Sequence, residues 1–341
     1  EAGTPPASPS LIADPVPPKR RASAFALYAL GVPLGAFCGA ILAGWIVQNM
    51  GWRSAFIILG LPGLLIALLT VLTLREPQRG LADGAVPTGE PVPSLKEVLR
   101  LLLRKRTFIH LTLGCALIGF ANFGINMFMP IYFNRVFDMS YAQAGLAFGL
   151  ITGCGAILGK IIGGYVSDWA GRRDRRWYLW VVALGVGITA PFYMLAFLQQ
   201  SWAVSATMLL LFGGLLYLWY GPTFAIAYGL VGPRMRASVS ALVLLTISLI
   251  GHGLGPVFMG WASDRFATRA FAAHGDFALA CGNPSQMAEG LVDACARASA
   301  QGIRYAAIAC ACFFIWGAWH YFLAARTLER DTQQAGTGPS P

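Results

Sequence analysis

The sequence predicts an all-α polytopic membrane protein with eight transmembrane helices. Of its 341 residues, 56% are hydrophobic and 12% are charged, whereas a soluble domain usually carries about 25% charged residues. The apolar residues form long blocks, and the Lys and Arg residues lie mainly between them. Backbone polar groups in lipid must pair within their own segment, and roughly 20 helical residues cross the hydrocarbon core. Each long apolar block is therefore expected to be a membrane-spanning helix.

Eight blocks are long enough to cross a bilayer. They cover residues 22–47, 52–74, 108–132, 141–167, 177–198, 202–231, 238–262 and 304–325. Two connections between them are long. Residues 75–107 are expected to form a linker that contains the amphipathic stretch SLKEVLRLLL, and residues 265–303 a loop on the opposite side of the membrane.

The distribution of basic residues predicts the orientation of the chain. Eighteen of the 25 Lys and Arg residues lie before the first block, after the second, fourth and sixth blocks, or in the tail, and six lie in the opposite loops. Because cytoplasmic loops carry an excess of Lys and Arg, these segments and the C-terminus are expected on the cytoplasmic side of a bacterial-type inner membrane. The net charge of +10 thus indicates membrane topology, and no nucleic-acid partner is expected.

The cysteines indicate neither a metal nor a cofactor site. The seven cysteines include no CxxC pair, and five lie inside apolar blocks, where a small buried thiol is ordinary. Cys281 and Cys295 lie in the 265–303 loop. In an oxidising compartment they could form a disulfide, and two unpaired thiols are the alternative.

Short segments recur along the chain and indicate an internal repeat. Arg21-Ala22-Ser23 at the start of the first span recurs as Arg236-Ala237-Ser238 at the start of the seventh. A second pair, 164–168 (GYVSD) and 260–264 (GWASD), falls at helix ends predicted to face opposite sides. The same signature three helices apart on opposite faces is typical of inverted repeats of three helices. We therefore expect two six-helix halves, the first of them truncated.

The strongest local motif is GGYVSDWAGRRDRR at residues 163–176. Its form, G-x-x-x-D-x-x-G-R-R, rests on Gly164, Asp168, Gly171, Arg172 and Arg173. We expect Gly164 to allow close approach of a neighbouring helix and Gly171 to allow a tight turn. Asp168 could hold a helix N-terminus or pair with an arginine in one conformation and release it in another, which makes the motif a candidate gate. In the alternative interpretation, the arginines only enforce topology.

At this motif the sequence resembles the major facilitator superfamily, which carries the same pattern between the second and third helices of each half. The segments 1–14, 51–65, 221–244 and 253–264 resemble its spinster-like branch. The resemblance implies a partial major facilitator fold, in which the eight spans are family helices five to twelve. Helices one to three and most of helix four are then expected to be missing. Glu1 matches the position of a glutamate in the fourth helix of spinster-like proteins.

This resemblance divides the chain into four expected regions. Residues 1–74 are a remnant of an N-terminal helix bundle, and 75–107 are a cytoplasmic linker. Residues 108–330 form a C-terminal six-helix bundle, and 331–341 are a disordered tail.

Polar residues deep in the spans are the candidates for lining a central cavity, because transporters of this kind bind solute near the membrane midplane. Asn122 and Asn126 share one helix face, but could instead make an ordinary interhelical hydrogen bond. Lys160 is a candidate as an intramembrane charge, unless its stem carries it to the interface. Tyr217, Tyr220 and Thr223 are candidates beside an expected helix break at Gly221-Pro222, with aromatic packing as the alternative for each ring. The remaining candidates are Glu1 and His252, and an interhelical hydrogen bond is the alternative for His252.

The spans contain no constellation of Asp and His, Ser and His, or metal ligands, so no enzyme is expected. The resemblance implies a secondary transporter that works by alternating access on small organic or amphipathic, lysolipid-like solutes, in contact with membrane lipid and with a proton as candidate coupling ion. The alternative is a non-transporting fragment that needs the missing helices.

Overall fold

The computed structural model of the protein describes residues 18–73, 94–232, 235–282 and 289–336. Glu1, most of the expected linker and residues 337–341 lie outside these ranges. Within them the chain is almost entirely helical. The helices are α1 Pro18–Met50, α2 Trp52–Thr73, α3 Leu95–Leu103, α4 Arg106–Phe137, α5 Tyr141–Gly171, α6 Trp177–Leu198, α7 Trp202–Gly229, α8 Arg236–His274, α9 Phe277–Cys281 and α10 Val292–Gly336.

Eight of these helices are long and apolar enough to cross a membrane, and each corresponds to one of the blocks predicted from the sequence. The predicted fold class of an all-α polytopic membrane protein is thus confirmed. The short helices α3 and α9 lie in the connections. α3 is the amphipathic stretch of the linker, where Ser94 and Glu97 form a capping box and Val98 and Leu102 are buried.

Three of the long helices change their winding inside the membrane. α5 contains a π-helical segment at Leu150–Cys154, and α8 contains another at Ile247–Leu254. α7 tightens into a 3₁₀ turn at Gly214–Tyr217. The expected break at Gly221-Pro222 therefore lies a few residues earlier, because regular α-helix ends at Gly213 and resumes at Tyr220. Pro222 lies in the first turn of the helical stretch Tyr220–Gly229, where its missing N–H leaves few intrahelical bonds unmade.

The six long helices α4 to α8 and α10, together with the short helix α9, form one packed unit, which we call the six-helix unit. α10 packs lengthwise against α4, α6 and α8, and the shared core includes Phe133, Phe314 and Tyr321. Small residues allow the close approach. A Cβ at Gly114 of α4 would lie 2.8 Å from the Tyr321 ring of α10.

Helices α1 and α2 are attached to this unit through α5. The Cα of Gly44 in α1 faces Gly145 in α5, and the Gln48 side chain accepts a hydrogen bond from the Ala142 backbone at 3.0 Å. α2 follows α1 after a turn at Gly51, whose φ of +81° suits glycine. Along α2 only Ala55 is buried.

The six-helix unit has two ends. We call the end that carries Lys105, the α5–α6 loop and the last turns of α10 the basic end. The opposite end carries α9, and there the structure joins Cys281 to Cys295 by a disulfide. We call it the disulfide end. Asp168 lies at the basic end and Asp264 near the disulfide end, as the inverted repeat requires.

Two segment boundaries in the structure differ from those expected from the sequence, namely those of the 265–303 loop and of the C-terminal tail. The 265–303 loop is largely helical, because α8 continues to His274 and α10 begins at Val292. The disordered tail expected from residue 331 is wrong for residues 331–336, which continue α10. The helix persists there because Asp331 is buried and makes contacts with the start of α4.

Candidate functional site: a polar cluster between α4, α5 and α7

Five of the expected cavity residues come together within the six-helix unit. On α4, the Asn126 amide donates to the Asn122 carbonyl oxygen at 3.1 Å. The hydroxyl of Tyr217, on α7, lies close to the side chains of both asparagines. Asn122 and Asn126 therefore share one face of α4, as their i, i+4 spacing predicts. Tyr217, at the end of the 3₁₀ turn of α7, faces them.

Lys160 joins this group from α5. Its Nζ lies 5.5 Å from the centre of the Tyr220 ring, and Tyr220 stands one turn from Tyr217 on α7. The backbones of α5 and α7 approach closely here because Gly159 has no side chain. A Cβ at Gly159 would collide with the carbonyl oxygen of Gly214. We call Asn122, Asn126, Lys160, Tyr217 and Tyr220 the polar cluster.

The polar cluster is rich in hydrogen-bond donors and lacks a balancing acid. In the part of the chain that the structure describes, no carboxylate lies within 4.0 Å of the Lys160 ammonium. Two amides, two phenols and one ammonium can together surround an anionic group, and charged groups inside a membrane protein are typical of solute pathways.

The other two described candidates lie apart from this cluster. The His252 ring is exposed and lies against the ring of Phe123, with ring centres 3.4 Å apart and planes tilted by 31°. Thr223 is fully buried, and its hydroxyl lies 2.5 Å from that of Tyr321, with Cys115 alongside. Thr223 is therefore not cavity-lining, because the interface of α4, α7 and α10 encloses it.

The candidate gating motif makes contacts different from those expected. The Asp168 carboxylate accepts a hydrogen bond from the Tyr178 hydroxyl at 2.8 Å. Gly171 is helical, and its missing side chain makes room for the Tyr178 ring. Arg172 is exposed, and the guanidinium of Arg173 lies 5.2 Å from the centre of the Trp169 ring.

The close helix approach expected at Gly164 occurs one residue earlier. A Cβ at Gly164 would have nothing within 4 Å, whereas one at Gly163 would lie 2.9 Å from the Cα of Leu218. The two glycines face different sides of α5, and only the side of Gly163 faces α7.

Sequence reasoning missed a second polar group, at the basic end. The Lys105 ammonium donates to the backbone oxygen of Leu230 at 2.7 Å and to that of Asp331 at 3.1 Å. The Asp331 carboxylate accepts from the backbone N–H of Thr107 at 2.7 Å. These bonds tie together the start of α4, the end of α7 and the end of α10. The sequence signal for it is weak: residues 327–334, TLERDTQQ, contain no Gly or Pro that would end the helix at Arg330.

The charges of this group act on one another. Burial lowers the pKa of Lys105, and the nearby Asp331 carboxylate opposes that effect. Beside it, Arg176 forms an ion pair with the exposed Glu329 of α10.

The eight long apolar helices define a polytopic membrane protein. A family model described as Major Facilitator Superfamily matches residues 1–256. The chain belongs to this superfamily, whose members are membrane transporters.

Two curated relatives place the chain more finely. It is 31% identical over 264 residues to an MFS-type efflux pump of Mycolicibacterium smegmatis, which covers 77% of this chain and 60% of the relative. It is 25% identical over 271 residues to the sphingosine-1-phosphate transporter SPNS2 of Mus musculus, covering 75% of this chain and 49% of the relative. The chain thus spans about half to three fifths of these curated relatives.

A solved structure agrees with this placement. It is a bacterial homologue of the human lysosomal transporter Spinster, in an inward-facing and unoccupied conformation. It superposes with a TM-score of 0.82 at 31% identity, covering 96% of this chain and 75% of that one. The predicted spinster-like resemblance is confirmed.

Proposed function

We propose that this protein carries small organic or amphipathic, lipid-like anions across a bacterial-type inner membrane by alternating access, with its C-terminus in the cytoplasm. The observation that carries the proposal is the polar cluster, in which α4, α5 and α7 each contribute hydrogen-bond donors and Lys160 contributes the charge. A carboxylate or phosphate bound there would exchange its water ligands for amide, phenol and ammonium donors.

The substrate class is supported by one relative's name. Sphingosine-1-phosphate, named for SPNS2, combines one phosphate with a long apolar chain. The polar cluster suits the head of such a molecule, and apolar side chains around it suit the chain. A lysophospholipid has the same combination of groups.

The proposed cycle uses helices that are already irregular. The π-helical segments of α5 and α8 and the 3₁₀ turn of α7 lie in the middle parts of their helices, and such segments are frequent at functional sites. We propose that the bond between Asp168 and Tyr178 forms in one access state and breaks in the other. His252 beside Phe123 is the candidate carrier of a coupling proton.

The test compares two ligands and two variants of the 341-residue chain. Sphingosine-1-phosphate and sphingosine differ in the phosphate, so their binding to protein in detergent isolates the anion contact. We expect Lys160→Gln to weaken sphingosine-1-phosphate binding by about tenfold and to leave sphingosine binding unchanged. Arg135→Gln, which removes an exposed charge elsewhere, is the matched control. If the ratio of sphingosine-1-phosphate affinity to sphingosine affinity is the same in Lys160→Gln and Arg135→Gln, the proposal is contradicted.

A second candidate function is binding without translocation. Nearly all of α2 is exposed, so α1 and α2 do not form a packed bundle within the described residues. Alternating access requires two bundles that move against each other, and this favours binding without transport by the chain alone. Proteoliposomes that contain only this chain separate the two. Uptake of sphingosine-1-phosphate supports transport by the chain itself, whereas binding without uptake supports the alternative.

A further inference from the structure

A second basic and aromatic site lies far from the polar cluster, on the outer side of α8 near the disulfide end. A crevice of about 310 Å³ opens there between α8 and α10. Its lining includes Phe258, Trp261 and Phe266, together with Arg265 and Arg269 and, from α10, Ala309. Neither the expected gate nor the polar cluster uses these residues.

The charged residues of the crevice form one stripe. Trp261, Arg265 and Arg269 follow one another at four-residue intervals, so they share one face of α8. Both arginine side chains are exposed, and no carboxylate of the described residues lies within 4.0 Å of either. Asp264 precedes Arg265 directly and so points about 100° away around the helix. The stripe therefore presents two unneutralised guanidinium groups.

The aromatic residues continue the stripe toward the middle of the helices. The Phe258 ring lies 5.8 Å from Trp261 and 5.4 Å from Phe313 of α10, and Phe313 lies 6.1 Å from Trp316. These centroid distances give a continuous apolar row across α8 and α10. Trp261 stands where the row meets the arginines, and tryptophan is typical of the membrane–water interface.

The position of the arginines is itself informative. They lie at the end opposite the basic end, where the excess of Lys and Arg that orients a membrane protein is not needed. Two arginines on that side oppose the charge bias that orients the chain, and a role in binding a negative group would account for their presence. Guanidinium groups suit phosphate because they donate two parallel hydrogen bonds.

We propose that this crevice binds an anionic membrane phospholipid. Arg265 and Arg269 hold its phosphate, and one acyl chain lies along the row from Trp261 through Phe258 to Phe313. Basic pockets between transmembrane helices bind anionic headgroups in the same way. The apolar row below the arginines favours a lipid over free phosphate, and the two unpaired charges favour an anionic over a zwitterionic headgroup.

The first test measures lipid binding to the purified chain in detergent by native mass spectrometry. Phosphatidylglycerol, phosphatidylcholine and inorganic phosphate are the probes. We expect phosphatidylglycerol to bind best and the double variant Arg265→Gln, Arg269→Gln to lose about tenfold in affinity. The double variant Arg135→Gln, Arg297→Gln removes the same charge from exposed sites at the same end and is expected to change affinity by less than about twofold. Equal loss in both double variants, or equal binding of both lipids, would overturn the proposal.

The second test locates the acyl chain. Phosphatidylglycerol with brominated acyl chains quenches tryptophans that it touches. We expect Trp261→Phe to reduce the quenched fraction of the fluorescence, and Trp202→Phe, on α7, to leave it unchanged. If inorganic phosphate displaces phosphatidylglycerol completely, or if Trp261→Phe leaves quenching unchanged, the crevice is an anion site without a lipid chain and the proposal fails.

Discussion

The six-helix unit and the pair α1 and α2 are both apolar in sequence, but they differ in packing. In the most apolar window of α4, 61% of the residues are buried inside the protein, whereas in that of α2 none are. α2 is the more apolar of the two. Hydropathy thus identifies a helix that can enter lipid, and it does not identify the helices that pack together.

The packing depends instead on small residues and on hydrogen bonds in particular places. Gly159 and Gly163 of α5 lie directly against the backbone of α7. A Cβ added at Gly60 or Gly63 of α2 would have no neighbouring atom within 4 Å. The same residue type therefore forms a helix contact in α5 and none at these positions of α2, and the difference can be tested.

The largest effect is expected from a side chain placed between α5 and α7. Gly159→Val would force its branches into the Gly214 backbone and should destabilise the protein by about 3 kcal/mol. Gly60→Val adds the same atoms to open space on α2 and should change stability by less than about 0.5 kcal/mol. Thermal unfolding of both variants in detergent measures the difference. Equal shifts of the midpoint would break the comparison between the two regions.

A smaller effect is expected at the basic end of the six-helix unit. Asp331→Ala leaves the buried N–H of Thr107 without its acceptor and should cost about 2 kcal/mol. Glu329→Ala, two residues away, removes only an exposed ion pair with Arg176 and should cost about 0.5 kcal/mol. The same unfolding assay applies. If Asp331→Ala proves as mild as Glu329→Ala, the end of α10 does not hold α4 and α7 together.

The smallest change in stability is expected at the candidate gate. Asp168→Ala removes one exposed hydrogen bond with Tyr178, so stability should fall by less than about 1 kcal/mol. Solute uptake should fall severalfold, because the contact is proposed to form in one access state. Asp293→Ala, an exposed acid at the disulfide end, should leave uptake unchanged. Unaltered uptake in Asp168→Ala would show that the motif has no gating role.

Much of the fold could be predicted because it depends on the composition of each segment alone. All eight spans follow from apolar length, and the fold class follows from them. The ends of α8 and α10 could not be found this way. Arg265, Arg269 and His274 interrupt the apolar pattern of residues 265–274, and residues 326–336 are mostly polar, so hydropathy falls in both segments while the helix continues. Burial of Asp331 depends on a partner, Thr107, that lies 224 residues away.

The candidate site was predictable only in part. The spacing of Asn122 and Asn126 defines a shared face whatever surrounds it, and Lys160 is conspicuous inside an apolar block. Which glycine of the 163–164 pair faces α7 depends on the position of the neighbouring helix, which no local pattern encodes. Thr223 is polar and follows Gly221-Pro222 in sequence, which makes it a candidate for the cavity. In the structure it is buried against Tyr321 and Cys115, and only the tertiary packing reveals this. The partner of Asp168 is a phenol, which charge reasoning alone does not suggest.

The central claim is that the six-helix unit crosses the membrane with its basic end and its disulfide end on opposite sides. Alkaline phosphatase fused after Gly171 and after His274 tests this most directly, because the enzyme is active only outside the cytoplasm. We predict an inactive fusion after Gly171 and an active one after His274. Equal activity of the two fusions would contradict the account.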